Sequence, residues 1–159
     1  MLARLRHLPN DASSIVLYDH IRDIVKQLIP VATNKHITIS MSGAENVIVT
    51  SQPQLLSVML SNIIDNAIKY TPSYGTITIN LLKISHNVVI EINDTGPGIP
   101  PEKYDYVFQR FSRLLGNEET GSGLGLAIVR HISEALGIKI TLDVPGYSYG
   151  LCVRLEISG

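Results

Sequence analysis

Between residues 53 and 70 the chain carries a helical pattern whose two sides need different surroundings. Leu56, Leu60, Ile63, Ile64 and Ala67 recur at helical spacing and require a core to cover them. Asn62, Asn66, Lys69 and Tyr70 fall together on another side, because residues three and four apart share a helix face. Such a helix must lie on a flat apolar surface while its amides face a ligand or water. The segments that follow supply the surface. Residues 76–84 and 87–93 read as strands, and the second alternates Val88, Ile90 and Ile92 against Val89, Glu91 and Asn93. Residues 138–144 and 151–157 read as two more, with Pro145-Gly146 starting the turn between them. The pattern predicts an α/β two-layer sandwich, a mixed β-sheet covered by helices on one face.

The remaining segments fit around this unit. Residues 1–6 read as the end of a helix, broken by Pro9, Asn10 and Asp11. Ile21, Ile24, Val25 and Leu28 mark a second helix over 18–32, and Pro30 leaves its last turn unsettled. Strands at 36–41 and 47–50 are expected to pair as a loose hairpin across Gly43. Pro53 suits the first position of the asparagine-bearing helix, with Ser51 as its expected cap. The side of that helix holding Asn66 is expected to lie outside the core. Residues 99–120 have no long rhythm and read as a long loop with short helical turns, a length that usually serves function. A helix over 124–136 then ends at Gly137.

Composition narrows the function classes. A length of 159 residues suits one domain, and 45% hydrophobic residues can fill its core. Only 17% of residues are charged and the net charge is -1, so no general attraction to nucleic acid exists. Cys152 is the only cysteine, which excludes an internal disulfide. No run of about 18 apolar residues is present, so no membrane contact by this domain is expected.

Three signals in fixed order describe an adenine nucleotide site. On the asparagine face, Asn66 can offer an amide oxygen to a hard cation such as Mg2+, while phosphates and water supply the other ligands. Lys69 is a mobile charge that can reach phosphate oxygens, and Asn62 can bond to phosphate or to a metal-bound water. Next, Asp94-Thr95-Gly96-Pro97-Gly98-Ile99 follows directly on a strand. Its carboxylate can accept a hydrogen bond from the amino group of adenine, where guanine carries an oxo group. Thr95 can add a contact, while Gly96 and Gly98 let the backbone approach a ligand closely. Last, Gly121-Ser122-Gly123-Leu124-Gly125-Leu126 leads into a helix, where backbone N–H groups favour phosphate. It is neither a P-loop nor a dinucleotide fingerprint. In the loop before it, Phe108 and Phe111 need an apolar dock, and Arg110 or Arg113 can reach the terminal phosphate, Arg113 being favoured.

With these motifs in place, the sequence resembles the ATP-binding catalytic domain of bacterial sensor histidine kinases, within the gyrase, Hsp90, histidine kinase and MutL superfamily. The resemblance covers roughly residues 14–158. Asn62 to Tyr70 matches the family's asparagine helix, which implies that Asn66 ligates magnesium. Asp94 to Gly98 matches the first glycine box, which implies an Asp94–adenine contact. Phe108 to Phe111 matches the phenylalanine box of the ATP lid, and Gly121 to Leu126 the second glycine box. The resemblance implies a Bergerat-type fold, with ATP and Mg2+ as ligands and the γ-phosphoryl group passing to a histidine on a separate dimerisation domain. A response regulator would follow indirectly, and the isolated domain would be a monomer.

Two departures stand out. The small hydroxyl residue that the family places after a glycine near the last strand is missing from Tyr149-Gly150-Leu151-Cys152. No histidine here has the acidic, arginine and proline neighbours of the family's phosphoacceptor. Residues 1–13 are therefore read as a remnant of the dimerisation hairpin and linker, and 14–159 as the catalytic domain, a cytoplasmic part of a parent anchored in the inner membrane. Three alternatives remain. One is an ATP-hydrolysing domain of the chaperone, mismatch-repair or topoisomerase type, weakened because Asn62 stands where those enzymes carry a glutamate base. Another is a serine kinase acting on an anti-sigma pathway partner, weakened by the hairpin remnant at the start. The last is a degenerate nucleotide-sensing docking domain.

Overall fold

The computed structural model describes residues 12–108, 122–146 and 149–158. Arg110, Phe111, Arg113 and Gly121 lie outside the described residues, as does the opening 1–11 segment.

Strand β1 (Ser13–Val16) leads into helix α1 (Leu17–Asn34), followed by β2 (Thr38–Gly43), β3 (Ile48–Ser51) and helix α2 (Pro53–Tyr70). Strands β4 (Thr76–Ile84) and β5 (Asn87–Asp94) come next, then a 3-10 turn (Pro101–Lys103) and the short helix α3 (Tyr104–Val107). Helix α4 (Ser122–Leu136), β6 (Lys139–Asp143) and β7 (Leu151–Ser158) complete the described elements. A five-stranded sheet runs β2-β4-β5-β7-β6. Only the β2–β4 pair is parallel, so the sheet is mixed as expected.

Residues 36–50 depart from expectation. β2 and β3 do not form a hairpin: β2 pairs with β4, and β3 pairs antiparallel with β1 in a separate two-stranded sheet. Parallel strands need a long crossover, and α2 provides it between β2 and β4. β3 is left to pair with β1, and Ile15 and Val49 of this pair are buried in the core. Ser51 is the last residue of β3 rather than a cap; Gln52 occupies the N-cap position without a side-chain bond, and Pro53 opens α2 as expected. Pro30 sits inside α1, which continues to Asn34.

The helical layer packs on one sheet face. α2 is central and packs against α1 and α4. Leu56, Leu60, Ile63, Ile64 and Ala67 are buried as the periodicity requires, and Leu55, Met59 and Ile68 join them. They meet Ile77, Ile79, Ile90, Ile92 and Leu155 in one apolar core. The opposite sheet face carries polar pairs. Arg154 Nη2 lies 2.7 Å from Glu91 Oε2 across β5 and β7, and Asn87 Nδ2 donates to Glu156 Oε2 at 2.6 Å. Cys152 is buried on β7, and burial pushes its thiol up to about 11, so it is protonated at neutral pH. Among the described residues, no helix is long and apolar enough to cross a membrane.

The core interface beneath α2 should dominate stability. Leu60 has no exposed surface. Leu60→Ala is expected to cost about 2–5 kcal/mol through lost transfer energy and a residual cavity. Urea unfolding measures it, and a loss below about 1 kcal/mol would mean the α2–sheet contact is not the core.

Candidate functional site

The C-terminal turn of α2 and the turn after β5 meet at one place. Asp94 ends β5 and is 6% exposed. Its Oδ1 accepts backbone N–H bonds from Gly96 at 2.9 Å and from Leu151 at 3.3 Å. Burial pushes its carboxyl above the ordinary carboxylate range, and the two amides oppose that shift only in part.

Glycines permit the close approach. A Cβ on Gly96 would stand 2.9 Å from the Tyr70 carbonyl and 3.4 Å from Thr71 Cα, so the turn packs directly on the end of α2. Gly150 has φ +85, and a Cβ there would run into the Asp94 carbonyl. Gly98 has φ +74 and faces the Gly150 carbonyl. Sequence reasoning treated the 149–152 segment only as a departure and missed Gly150. The available signal was a glycine directly before the strand that pairs Leu151 with Asp94.

Asn66 corrects the expectation that its side lies outside the core. It is buried, and its Nδ2 has no hydrogen-bond partner among the described residues. The fully buried Thr71 Oγ1, one residue beyond α2, likewise has none. A buried polar atom without a partner costs about 1–3 kcal/mol, and two beside one turn mark a place suited to a polar ligand. An amide carbonyl there also fits a hard cation. Among the described residues no group of three or more His, Cys, Asp and Glu side chains could hold a metal.

The other predicted residues are placed as follows. Asn62 is half-buried, and its Nδ2 donates to the Val58 carbonyl of its own helix at 2.8 Å. Lys69 Nζ lies 3.3 Å from Asp65 Oδ2, and the head groups remain about a third exposed. Tyr70 is half-buried at the end of α2. Thr95 Oγ1 accepts the Thr76 N–H at 3.0 Å, so its hydroxyl first secures the start of β4. Ile99 is half-buried. Phe108 lies under the Arg130 guanidinium, 5.3 Å from the ring centre, which docks the end of the α3 segment on α4. Ser122, Gly123, Leu124 and Gly125 form the first turn of α4, two residues earlier than the expected helix start, and Leu126 follows half-buried. Their N–H groups belong to the helix end that lacks intrahelical acceptors.

The comparisons agree on one family. Residues 51–158 match the model described as histidine kinase-, DNA gyrase B-, and HSP90-like ATPase. The swarming motility regulation sensor protein RssA of Serratia marcescens is 33% identical over 153 residues, covering 94% of this chain and 33% of the relative. The sensor protein QseC of Escherichia coli is 34% identical over 142 residues, covering 87% and 31%. The chain thus spans about a third of the length of these curated relatives. The solved catalytic domain of histidine kinase ThkA superposes with a TM-score of 0.82 at 25% identity, covering 93% of this chain and 95% of that one. Full-length ShkA in complex with AMPPNP superposes at 0.81 and 25% identity, covering 98% of this chain and 33% of that one.

Gly150 should tolerate no side chain. Gly150→Ala combines a positive φ with a clash against the Asp94 carbonyl. It is expected to destabilise the fold by more than about 1 kcal/mol and to weaken nucleotide binding in the surviving folded fraction. Denaturant titration with a binding isotherm checks both; wild-type values would contradict the close approach.

Proposed function

The chain belongs to the histidine kinase-, DNA gyrase B-, and HSP90-like ATPase family, as an ATP-binding catalytic domain of the sensor histidine kinase type, and on that premise we propose that it transfers the γ-phosphoryl group of ATP to a histidine on a separate dimerisation domain. The observation that carries this reading is the junction at Asp94: a buried carboxylate, fixed by two amides, stands against the helix end that bears Asn66, whose amide nitrogen has no partner among the described residues.

In this reading the base amino group donates to the Asp94 carboxylate. Thr95 and the glycines around it hold the turn close to the ring. Asn66 would offer its amide oxygen to Mg2+, which, when bound, neutralises charge on the phosphates. Lys69 leaves its exposed bond to Asp65 at little cost, since such pairs contribute about 0–1 kcal/mol, and turns to phosphate. The first turn of α4 directs N–H groups at the same anion. The bond from the γ-phosphorus to the bridging oxygen breaks, ADP leaves, and a bond to the acceptor imidazole nitrogen forms. This domain supplies position and charge, and the nucleophile comes from elsewhere. Asn62 supports transfer over hydrolysis: it has no basic oxygen for water, and its amide is spent on Val58. We extend the proposal to a lid arginine, Arg113 ahead of Arg110, as a phosphate contact. A cytoplasmic position and a response regulator as final acceptor belong to the same reading. That solved ShkA is a complex with AMPPNP supports a nucleotide here.

Two outcomes are expected. The chain alone should bind ATP·Mg with negligible self-phosphorylation, and labelling with radioactive ATP should rise only when a histidine-bearing dimerisation domain is added. Strong labelling of the chain alone would refute the scheme. Asp94→Asn keeps an oxygen for the Gly96 and Leu151 amides but puts an N–H donor, in place of the second oxygen, toward the amino group of the base. ATP affinity should fall about ten- to a hundredfold, from loss of a charged hydrogen bond. The folded carboxyl titrates above its unfolded value, so charging it opposes folding. That penalty is absent below the ordinary carboxyl range and complete once pH exceeds the raised value. Nucleotide-free Asp94→Asn should therefore melt above wild type at neutral pH, and the gap should close on acidification. Calorimetry reads both; equal affinity would contradict the base contact.

A further inference from the structure

Lys35 follows α1 and is the C-cap residue of that helix, far in sequence from every motif above. It reaches across to the end of α2: its Nζ donates to the Ile68 carbonyl at 2.9 Å and to the Lys69 carbonyl at 2.5 Å. The last turn of an α-helix leaves its carbonyls without intrahelical donors. At this end all four have a place. Ala67 O accepts the Thr71 N–H, Ile68 O and Lys69 O accept Lys35, and Tyr70 O lies against Gly96. The same turn carries Asn66, Lys69 and Tyr70.

The end of α2 poses an electrostatic difficulty for a triphosphate. A helix C-terminus behaves as roughly half a negative charge, which repels phosphate. A cation bonded to its terminal carbonyls offsets that charge and fixes the direction of the turn. Neighbouring bonds hold Lys35 in turn. The Tyr74 N–H donates to the His36 carbonyl at 2.9 Å, the Thr38 N–H to the Gly75 carbonyl at 3.1 Å, and the His36 and Tyr74 rings stack at 4.8 Å. The junction after α1 is thereby clamped to the loop after α2.

We propose that Lys35 is a positioning residue for the phosphate and metal end of the nucleotide site, acting through the last turn of α2 rather than touching the ligand. This rests on the nucleotide reading above. Its signature is a split between the two ends of the ligand, because Asp94 is fixed by Gly96 and Leu151, not by Lys35.

The test is calorimetry on the full chain with Mg·AMPPNP and, separately, adenosine. Lys35→Met should weaken Mg·AMPPNP about tenfold, as losses of supporting bonds around a metal site do, while adenosine affinity stays at the wild-type value. Lys35→Arg keeps a cation that bridges two carbonyls and should restore Mg·AMPPNP binding. If Lys35→Met does not fold, Lys35→Gln carries the same comparison with a neutral donor. Equal Mg·AMPPNP affinity in wild type and variant would overturn the proposal. So would a parallel loss of both ligands, which would assign Lys35 a general structural role. Wild type that binds neither ligand would instead defeat the nucleotide reading itself.

Discussion

Asp94 Oδ1 receives the N–H groups of Gly96 and Leu151, and these two bonds join the end of β5 to the turn after it and to the start of β7. The carboxylate must stay buried to do this, at the cost that raises its pKa. Around it the backbone is packed so tightly that Gly96, Gly98 and Gly150 leave no room for side chains. The rest of the site follows from that fixed point. Because Gly96 rests on the Tyr70 carbonyl, the turn and the end of α2 hold a constant separation. A ligand with an amino group at one end and a polyphosphate at the other meets a rigid frame at both. Function here sets a local penalty against fold stability, and the buried Asn66 Nδ2, without a partner among the described residues, is a second instance of the same conflict.

The frame needs the whole sandwich behind it. α2 lies between α1 and α4 and buries one side against the sheet, so its final turn cannot drift. Lys35 connects α1 to the same turn. The Glu91–Arg154 pair lies on the other sheet face, outside this layer.

Much of this was legible because it depends on local pattern. The stripe of Leu56, Leu60, Ile63 and Ile64 required a covered helix, and alternation at 87–93 required a strand with one face inward. Asp94 and its glycines were readable as a turn because glycine reports backbone demands directly. Partners across the fold were not readable. A hairpin between β2 and β3 satisfies their short length as well as the true pairings do; the choice is made by the α2 crossover, which lets β2 lie parallel to β4. The burial of Asn66 was missed for a related reason. Its spacing assigns it to the polar side, but spacing along one helix does not show what packs over that side, and Asn66 is buried. Gly150 and Lys35 act through contacts 56 and 33 or more residues away in sequence; the only local mark of the first is its place directly before β7, and no local signal marks Lys35.

The most direct test is a crystal structure of the chain with Mg2+ and AMPPNP. The account predicts the base amino group within hydrogen-bonding distance of the Asp94 carboxylate and the Asn66 Oδ1 among the metal ligands. A nucleotide seated elsewhere, or bound with either side chain out of contact, would contradict it.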